Sequence, residues 1–480
     1  MIFNNALNFI NNSSKFSKKK IRYLYLSSNI YNKKITPSVI SSLNYSPSAN
    51  LLDSIIKYNK KKINIKDYSL NKIWDNKNLK ENDYKNLNSF FWLFSLDLKS
   101  SKKITQSIIV NWIEANHNYN QKNWELDTLS KRVISWISNS RLSYEDGDQQ
   151  YKDSFNKNIK KQINHLINEI NRSSWVDNKM IGCAAILLAG LSYKDKKYLN
   201  FGLSLLKKII NFSFDHQGFP KSRNIRQLAF YLKYFILIRE WFKEAQVTIP
   251  DQVNETINYL GQSYAFIWQS IKSDILFNGN NISNNSEFDH YLKRFGYTFK
   301  NESREFGGYV ILKNKKISLI MDVGNSPNLN FSKDYQSGAM SFEIISNGKK
   351  LISNCGYYKK NNTKLNWLSK STAAQSTLII DDNSSCKFKN SKNNWIIKKG
   401  LKILSKDIIF KKNFWKINAT HDGYLKKYNS IHEREIEFYP EQMLFIGTDK
   451  IIKKKINHNY KFDIRFHVEP NVKLMKTQDN

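Results

Sequence analysis

The chain is short of cysteine, short of negative charge and free of long apolar runs. Its 480 residues include three cysteines, Cys183, Cys355 and Cys386. They share no metal-type spacing and cannot all pair, which argues against a disulfide framework and against a cysteine-based zinc site. No run of about 18 apolar residues occurs, so no transmembrane helix is expected. The start, MIFNNALNFINNSSKFSKKK, lacks the plan of a signal peptide, because its lysines follow a short apolar stretch broken by asparagine. Carboxylates number 41 against 76 lysines and arginines, a formal charge of +35. The lysines are dispersed among asparagine and isoleucine, so much of that excess reads as a solvated surface. The rest favours a polyanion, either a nucleic acid or an acidic polysaccharide. An RNA-binding aromatic signature, a zinc finger and a helix-turn-helix are all missing, so no specific nucleic-acid partner is expected.

What is present falls into two periods. Hydrophobic residues make up 40% and aromatics 14%, ample for packed cores in two domains. From about Tyr84 to Gln269 the apolar spacing is helical. Phe155, Ile159, Ile163, Leu166, Ile167 and Ile170 recur at intervals of three and four, one face of a helix. MIGCAAILLAGL is apolar nearly all round and suits a buried helix. After about Phe295 the period becomes two. GGYVILK, KISLIMDVG, MSFEIISNGKKLISNCG, FWKINATHDGY and REIEFY read as short antiparallel strands joined by Asn-Gly or Asp-Gly turns. The expected fold is a helical array followed by an antiparallel β-sandwich. Its divisions are a weakly patterned extension over 1–84, a helical domain over 85–295 and a sandwich over 296–480.

Several motifs in order carry a resemblance. GGYVILKNKKISLIMDVGNSPNLNFSKDYQSGAMSFEIISNGKKLISNCG, then STAAQSTLIIDD, THDGY and HEREIEF, resemble the C-terminal domain of heparinase II/III-type proteins. NWELDTLSKRVISWISNS, GFPKSRN and DILFNGN resemble the helical domain of the bacterial branch of that family. The resemblance implies an α/α-toroid, an incomplete helical barrel, followed by the sandwich, here short of its last strands. It also implies a polysaccharide lyase that splits uronate-containing polymers, glycosaminoglycans among them, by β-elimination in the periplasm or cell envelope. With no export signal visible, the cytoplasm is the alternative location. The other readings are a carbohydrate-binding or envelope-assembly protein without catalysis, and a basic protein that binds nucleic acid non-specifically.

β-Elimination needs a cation or strong donor at the uronate carboxylate and a Tyr or His that moves the proton. In metal-containing relatives a His-x-His-x-Asp segment enters the SFE strand. Here Asp334 and Gln336 stand for the two histidines, Asn354 for an acid and Gln375 for a further histidine. Gln336, Asn354 and Gln375 thus hold former zinc-ligand positions with amides, poor zinc ligands, and no cofactor is expected. The toroid's Asn-His pair is matched only by Asp177 and Asn178. The remaining candidates lie in two motifs. In GFPKSRN, Arg223 and Asn224 (with Lys221) precede a long helix and could grip a carboxylate. In the second, His421, Tyr424, His432 and Arg434 fall in one hairpin, with His432 and Arg434 on one strand face. Tyr309, Tyr335 and an exposed Asn278 complete the expected substrate contacts. Each candidate has a plain structural reading beside the functional one: a capped turn, a buried hydrogen-bonded histidine, a turn-forming asparagine. Arg223 and Asn224 are expected to face the hairpin motif across one groove. The oligomeric state is not encoded legibly.

Overall fold

The computed structural model describes residues 17–56, 74, 79–95, 102–173, 176–271, 273–281, 286–360, 363–391, 394–453 and 459–475. They form two compact units. One comprises described residues up to Phe212 together with Lys233–Asn254; the other comprises Ser213–Leu232 and the described residues from Glu255 onward. Helices precede strands, as the change of period predicts: the last long helix ends at Arg294 and the first strand begins at Glu305. The compact units do not divide at that change, because Ser213–Leu232 and Glu255–Arg294 belong with the sheets.

In the first unit the helix Gln149–Glu169 is capped by Asp148, whose carboxylate accepts the Tyr151 N–H at 2.8 Å. Phe155, Ile159, Ile163, Leu166 and Ile170 are fully buried, each worth about 1.5–3 kcal/mol of transfer free energy. Val176–Ser192 is buried from Met180 to its end and packs on Leu126–Ser138. Arg132 sits inside this packing. It stacks 3.9 Å from the Trp112 ring and donates to Gln162 and to the carbonyls of Asn88 and Asn123. The segment before residue 80, expected as a weakly patterned extension, contributes helices over 17–26, Asn29–Ile35 and Ala49–Ile55. Tyr31, Ile35, Leu52 and Ile55 are buried there, so the described part of this segment is integral to the unit.

The second unit carries the sandwich. One sheet has six antiparallel strands in the order Glu305–Phe306, Tyr309–Lys313, Ile317–Asp322, Phe342–Ser346, Lys349–Ser353, His467–Val468. The other has four: Leu444–Lys453, Ser430–Tyr439, Trp415–His421, Ile403–Phe410. Val310, Leu319, Met321 and Phe342 of the first meet Trp415, Ile417, Ile436 and Phe438 of the second to form the core. Asn347 and Gly348, at φ 46° and 77°, make the two-residue turn between Phe342–Ser346 and Lys349–Ser353. Ser430–Tyr439 alternates buried and half-buried over its whole length, so Ser430, His432, Arg434, Ile436 and Phe438 all point inward.

Candidate functional site

His432 and Arg434 share a face, and it is the core face. Arg434 holds Asp449 through Nε at 2.8 Å and Nη2 at 2.9 Å, and its Nη1 donates to the carbonyls of Met340 and Ser376. His432 Nε2 lies 2.6 Å from Asp449, and His432 Nδ1 lies 3.3 Å from His421 Nε2. Burial would raise the Asp449 carboxyl, but hydrogen bonds from His432 and Arg434 win and hold it at about 2. Burial lowers the pKa of His421, with His432 and Arg434 adding to the effect, and burial lowers that of His432 as well. Tyr424 donates to the Leu378 carbonyl, and burial pushes its phenol up. These four candidates form an internal network that braces the sandwich, with no face left for a sugar.

Arg223 is likewise spent on the protein. It adopts φ 59°, and its guanidinium donates to Asp322 (2.8 Å) and to the carbonyls of Gly308 (2.9 Å), Gly307 and Asn325 (3.3 Å each). Four of its five N–H groups are used, and the plane lies 4.6 Å from the Tyr309 ring. Gly308 and Gly324 leave room for it: a Cβ at Gly324 would come within 2.3 Å of the guanidinium carbon. The expectation that Arg223 grips a substrate carboxylate therefore gives way to a bridge holding the GFPKSRN turn on the six-stranded sheet. Asn224 donates to Asp334 at 3.0 Å and accepts from the Arg226 N–H at the start of its helix. Tyr309 donates to the Arg223 carbonyl (2.8 Å) and accepts from Asn278 (2.6 Å). Asn278 was expected at an exposed turn. It is buried, because its amide also donates to Asp322 at 2.9 Å while Asn278–Gly279 turns at φ 31° and 79°.

Arg223 and the hairpin network do not face one groove. Met340 separates them: its carbonyl accepts from Arg434 while its N–H donates to the Asp322 carbonyl. A cavity of about 630 Å³ does border Lys221 and Arg223, with Asn325, Glu305 and Lys406 on its walls, the last two ion-paired.

The segment Asp334-Tyr335-Gln336, which stands where relatives carry metal-binding histidines, is mostly interior. Tyr335 and Gln336 are buried, and Asp334 is half-buried, accepting from Asn224 and from the Tyr357 hydroxyl at 3.0 Å. Gln336 Nε2 donates to the carbonyls of Gly356 (3.0 Å) and Ser369 (2.7 Å), and its Oε1 accepts from the Gly279 N–H at 3.1 Å. Gln375 Nε2 donates to the same Ser369 carbonyl at 3.2 Å. Asn354 Oδ1 accepts from the Ser376 N–H at 2.9 Å. The amide oxygens of Gln336 and Asn354 are already occupied by backbone donors, so this donor set does not fit zinc. Beside Asn354, the fully buried Glu343 accepts the N–H groups of Leu276 (2.9 Å) and Asn354 (3.1 Å), with Lys350 at 3.1 Å. Among the described residues no three His, Cys, Asp or Glu side chains gather as metal ligands.

A further open feature lies in the helical unit and was not singled out from sequence. It is a groove of about 1290 Å³ with Tyr23, Tyr119, Trp124 and His165 on its walls and Arg172 and Asn178 at its border. Tyr119 and His165 face each other with ring centroids 5.5 Å apart, and Trp124 meets His165 edge-on at 5.1 Å. His165 Nδ1 lies 2.8 Å from the Tyr31 hydroxyl, and burial lowers its pKa to about 3. Burial, with Glu169 nearby, pushes the Tyr119 phenol up to about 12. Arg172 lies 3.5 Å from Glu169, which also pairs with Arg22. The available signal was the aromatic spacing in NYNQKNWELD together with the Asp177-Asn178 match.

Residues 302–480 match the family described as heparinase II/III-like, C-terminal. The family likeness of the chain thus rests on this C-terminal stretch. Solved structures similar to the heparinase-like chain include a heparinase III, at 15% identity and TM-score 0.59, over 78% of this chain and 62% of that one. Another is heparan sulfate lyase HepC from Pedobacter heparinus: 14% identity, TM-score 0.55, 85% of this chain and 68% of that one. A third, a heparinase III gene product, has 14% identity and TM-score 0.62 over 89% and 72%. At such identities the likeness establishes the fold, a toroid followed by a sandwich. The chain spans only 62% of the length of the first of these structures. No curated protein sequence matches it.

Proposed function

We propose that this heparinase II/III-like chain binds an acidic, uronate-containing polysaccharide along the aromatic groove of its helical unit. The observation that carries this reading is the groove itself, about 1290 Å³ in volume and walled by Tyr23, Tyr119 and Trp124. Aromatic faces cover the apolar C–H faces of pyranose rings, while Asn178, Lys122 and Arg172 offer donors at the rim. The net charge of +35 supplies a long-range attraction for a polyanion. The site is proposed to serve an envelope or periplasmic polysaccharide, in keeping with the resemblance.

The geometry favours binding over β-elimination. A general base works best when its pKa lies near the working pH. His165, at about 3, and Tyr119, at about 12, lie on either side of that range. His421 and His432 are locked in the core of the sandwich. Affinity electrophoresis through gels containing alginate, heparan sulfate or neutral dextran tests the reading, alongside the short-wavelength ultraviolet absorbance of unsaturated uronate. Retardation by the polyuronates with flat absorbance is expected. Equal retardation by dextran would remove the uronate preference, and rising absorbance would restore the lyase reading.

A further inference from the structure

We propose that a second pocket on the helical unit, between the helices Asn29–Ile35, Lys102–Ala115 and Gln149–Glu169, is a site for a tetrahedral oxyanion, a phosphate or sulfate monoester carried on a sugar. The pocket has a volume of about 660 Å³ and is lined by Lys33, Lys157 and Lys161, with hydroxyls from Thr36 and Ser154 and the amide of Asn158. No carboxylate lines it. The aromatic groove, by contrast, sets Glu81, Glu125 and Glu169 among its basic residues, and the sandwich cavity sets Asp215 and Glu305 among its own.

Lys161 is the decisive group. It is 8% exposed, and its ammonium donates to the His117 carbonyl and lies 5.8 Å from the Trp124 ring. No Asp or Glu is paired with it among the described residues. A buried ammonium normally has a counter-charge, because desolvation costs several kcal/mol per ion. The charged neighbour that acts on it is of the same sign: Lys157 stands one turn earlier on the same helix, and burial with that neighbour lowers Lys161 to about 8. Of the three ammonium hydrogens one is spent on His117, leaving two for a ligand. His117 also lines the pocket. Its Nδ1 donates to the Glu114 carbonyl (2.9 Å) and its Nε2 accepts from Asn118 (3.0 Å). Three lysines in one lining, with the Ser154 hydroxyl and the Asn158 amide, suit three or four terminal oxygens better than the two of a carboxylate. The amide oxygen of Asn32, buried without a partner among the described residues, can exchange places with its NH2 by a half-turn and add a donor.

This pocket shares no lining residue with the aromatic groove, and failure of either proposal leaves the other standing. The test is calorimetric titration of the full chain with inorganic phosphate and inorganic sulfate at constant ionic strength, using chloride as the balance. Glucose 6-phosphate and glucosamine 6-sulfate then decide which ester is preferred. Saturable binding of at least one oxyanion is expected, weakened about tenfold or more by Lys157→Gln and by Lys161→Gln. Lys349→Gln, an exposed change on the sandwich, removes the same net charge and should leave binding unaltered. Lys161→Met should raise the melting temperature in chloride, and saturating phosphate should erase that advantage. Absence of saturable binding, or equal weakening by Lys349→Gln, would overturn the proposal.

Discussion

In the sandwich, Arg223, Arg434, His421 and His432 turn inward and spend their hydrogen bonds on the protein; in the helical unit, Lys157, Arg172 and Asn178 border open cavities. The same residue types serve opposite ends in the two regions. Strand alternation brings every second residue to one face, so a polar residue in phase with Ile436 and Phe438 must enter the core and find partners there. Helical spacing leaves gaps between neighbouring rods, where long side chains can end in solvent. Polar density in a motif is therefore a poor guide to function unless the face it occupies is known.

The contrast is broken most forcefully from the sandwich side. Arg434→Met should cost about 3–5 kcal/mol in chemical denaturation, because it leaves Asp449 buried without its main partner. Adding Asp449→Leu should recover much of that loss, and a double-mutant cycle measures the coupling.

Acidification should weaken the fold next. His421, His432 and His165 are kept neutral by burial, so below about 6.5 the unfolded chain binds more protons and stability falls with pH. Each such histidine costs about 1.4 kcal/mol per pH unit across its window, which for His165 closes near pH 3. The Asp449 contribution runs in the same direction but lower on the scale: it is intact above the ordinary carboxyl range and is lost as pH falls through about 2. Denaturation midpoints at pH 7, 6 and 5 should therefore decline steadily; a flat series would show that these histidines take up protons as readily in the folded chain as in the unfolded one.

Tyr119→Ala should sharpen the comparison from the helical side, lowering polyuronate affinity about tenfold, or 1.4 kcal/mol, with little change in stability. The smallest effect is expected at the amide cluster. Adding zinc, or a chelator, should leave the melting temperature unchanged, since Gln336 and Asn354 already have backbone partners.

The architecture was legible because a hydrophobic period records burial directly, and the switch from three-and-four spacing to alternation survives in a lysine- and asparagine-rich chain. The pairing of His432 with Arg434 on one face was legible for the same reason. Which face it was could not be read, since a buried arginine depends on Asp449, a residue that only the neighbouring strand's register brings alongside. Arg223 was misread because its left-handed backbone and its acceptors on Gly307, Gly308 and Asn325 lie far away in sequence. The groove went unnoticed because Tyr23, Trp124 and His165 come from separate helices and loops.

The turn at Asn347–Gly348 has a consequence for how the protein ages. An asparagine before glycine loses its side-chain amide when the next backbone nitrogen attacks the side-chain carbonyl, a reaction that requires local freedom. At Asn278–Gly279 that freedom is gone: Tyr309 and Asp322 hold the amide, and the Gly279 nitrogen already donates to Gln336. At Asn347–Gly348 both residues are exposed at a hairpin tip. Stored protein should therefore acquire its first new carboxylate there, beside Lys349 and Lys350, while the identical dipeptide in the interior stays intact.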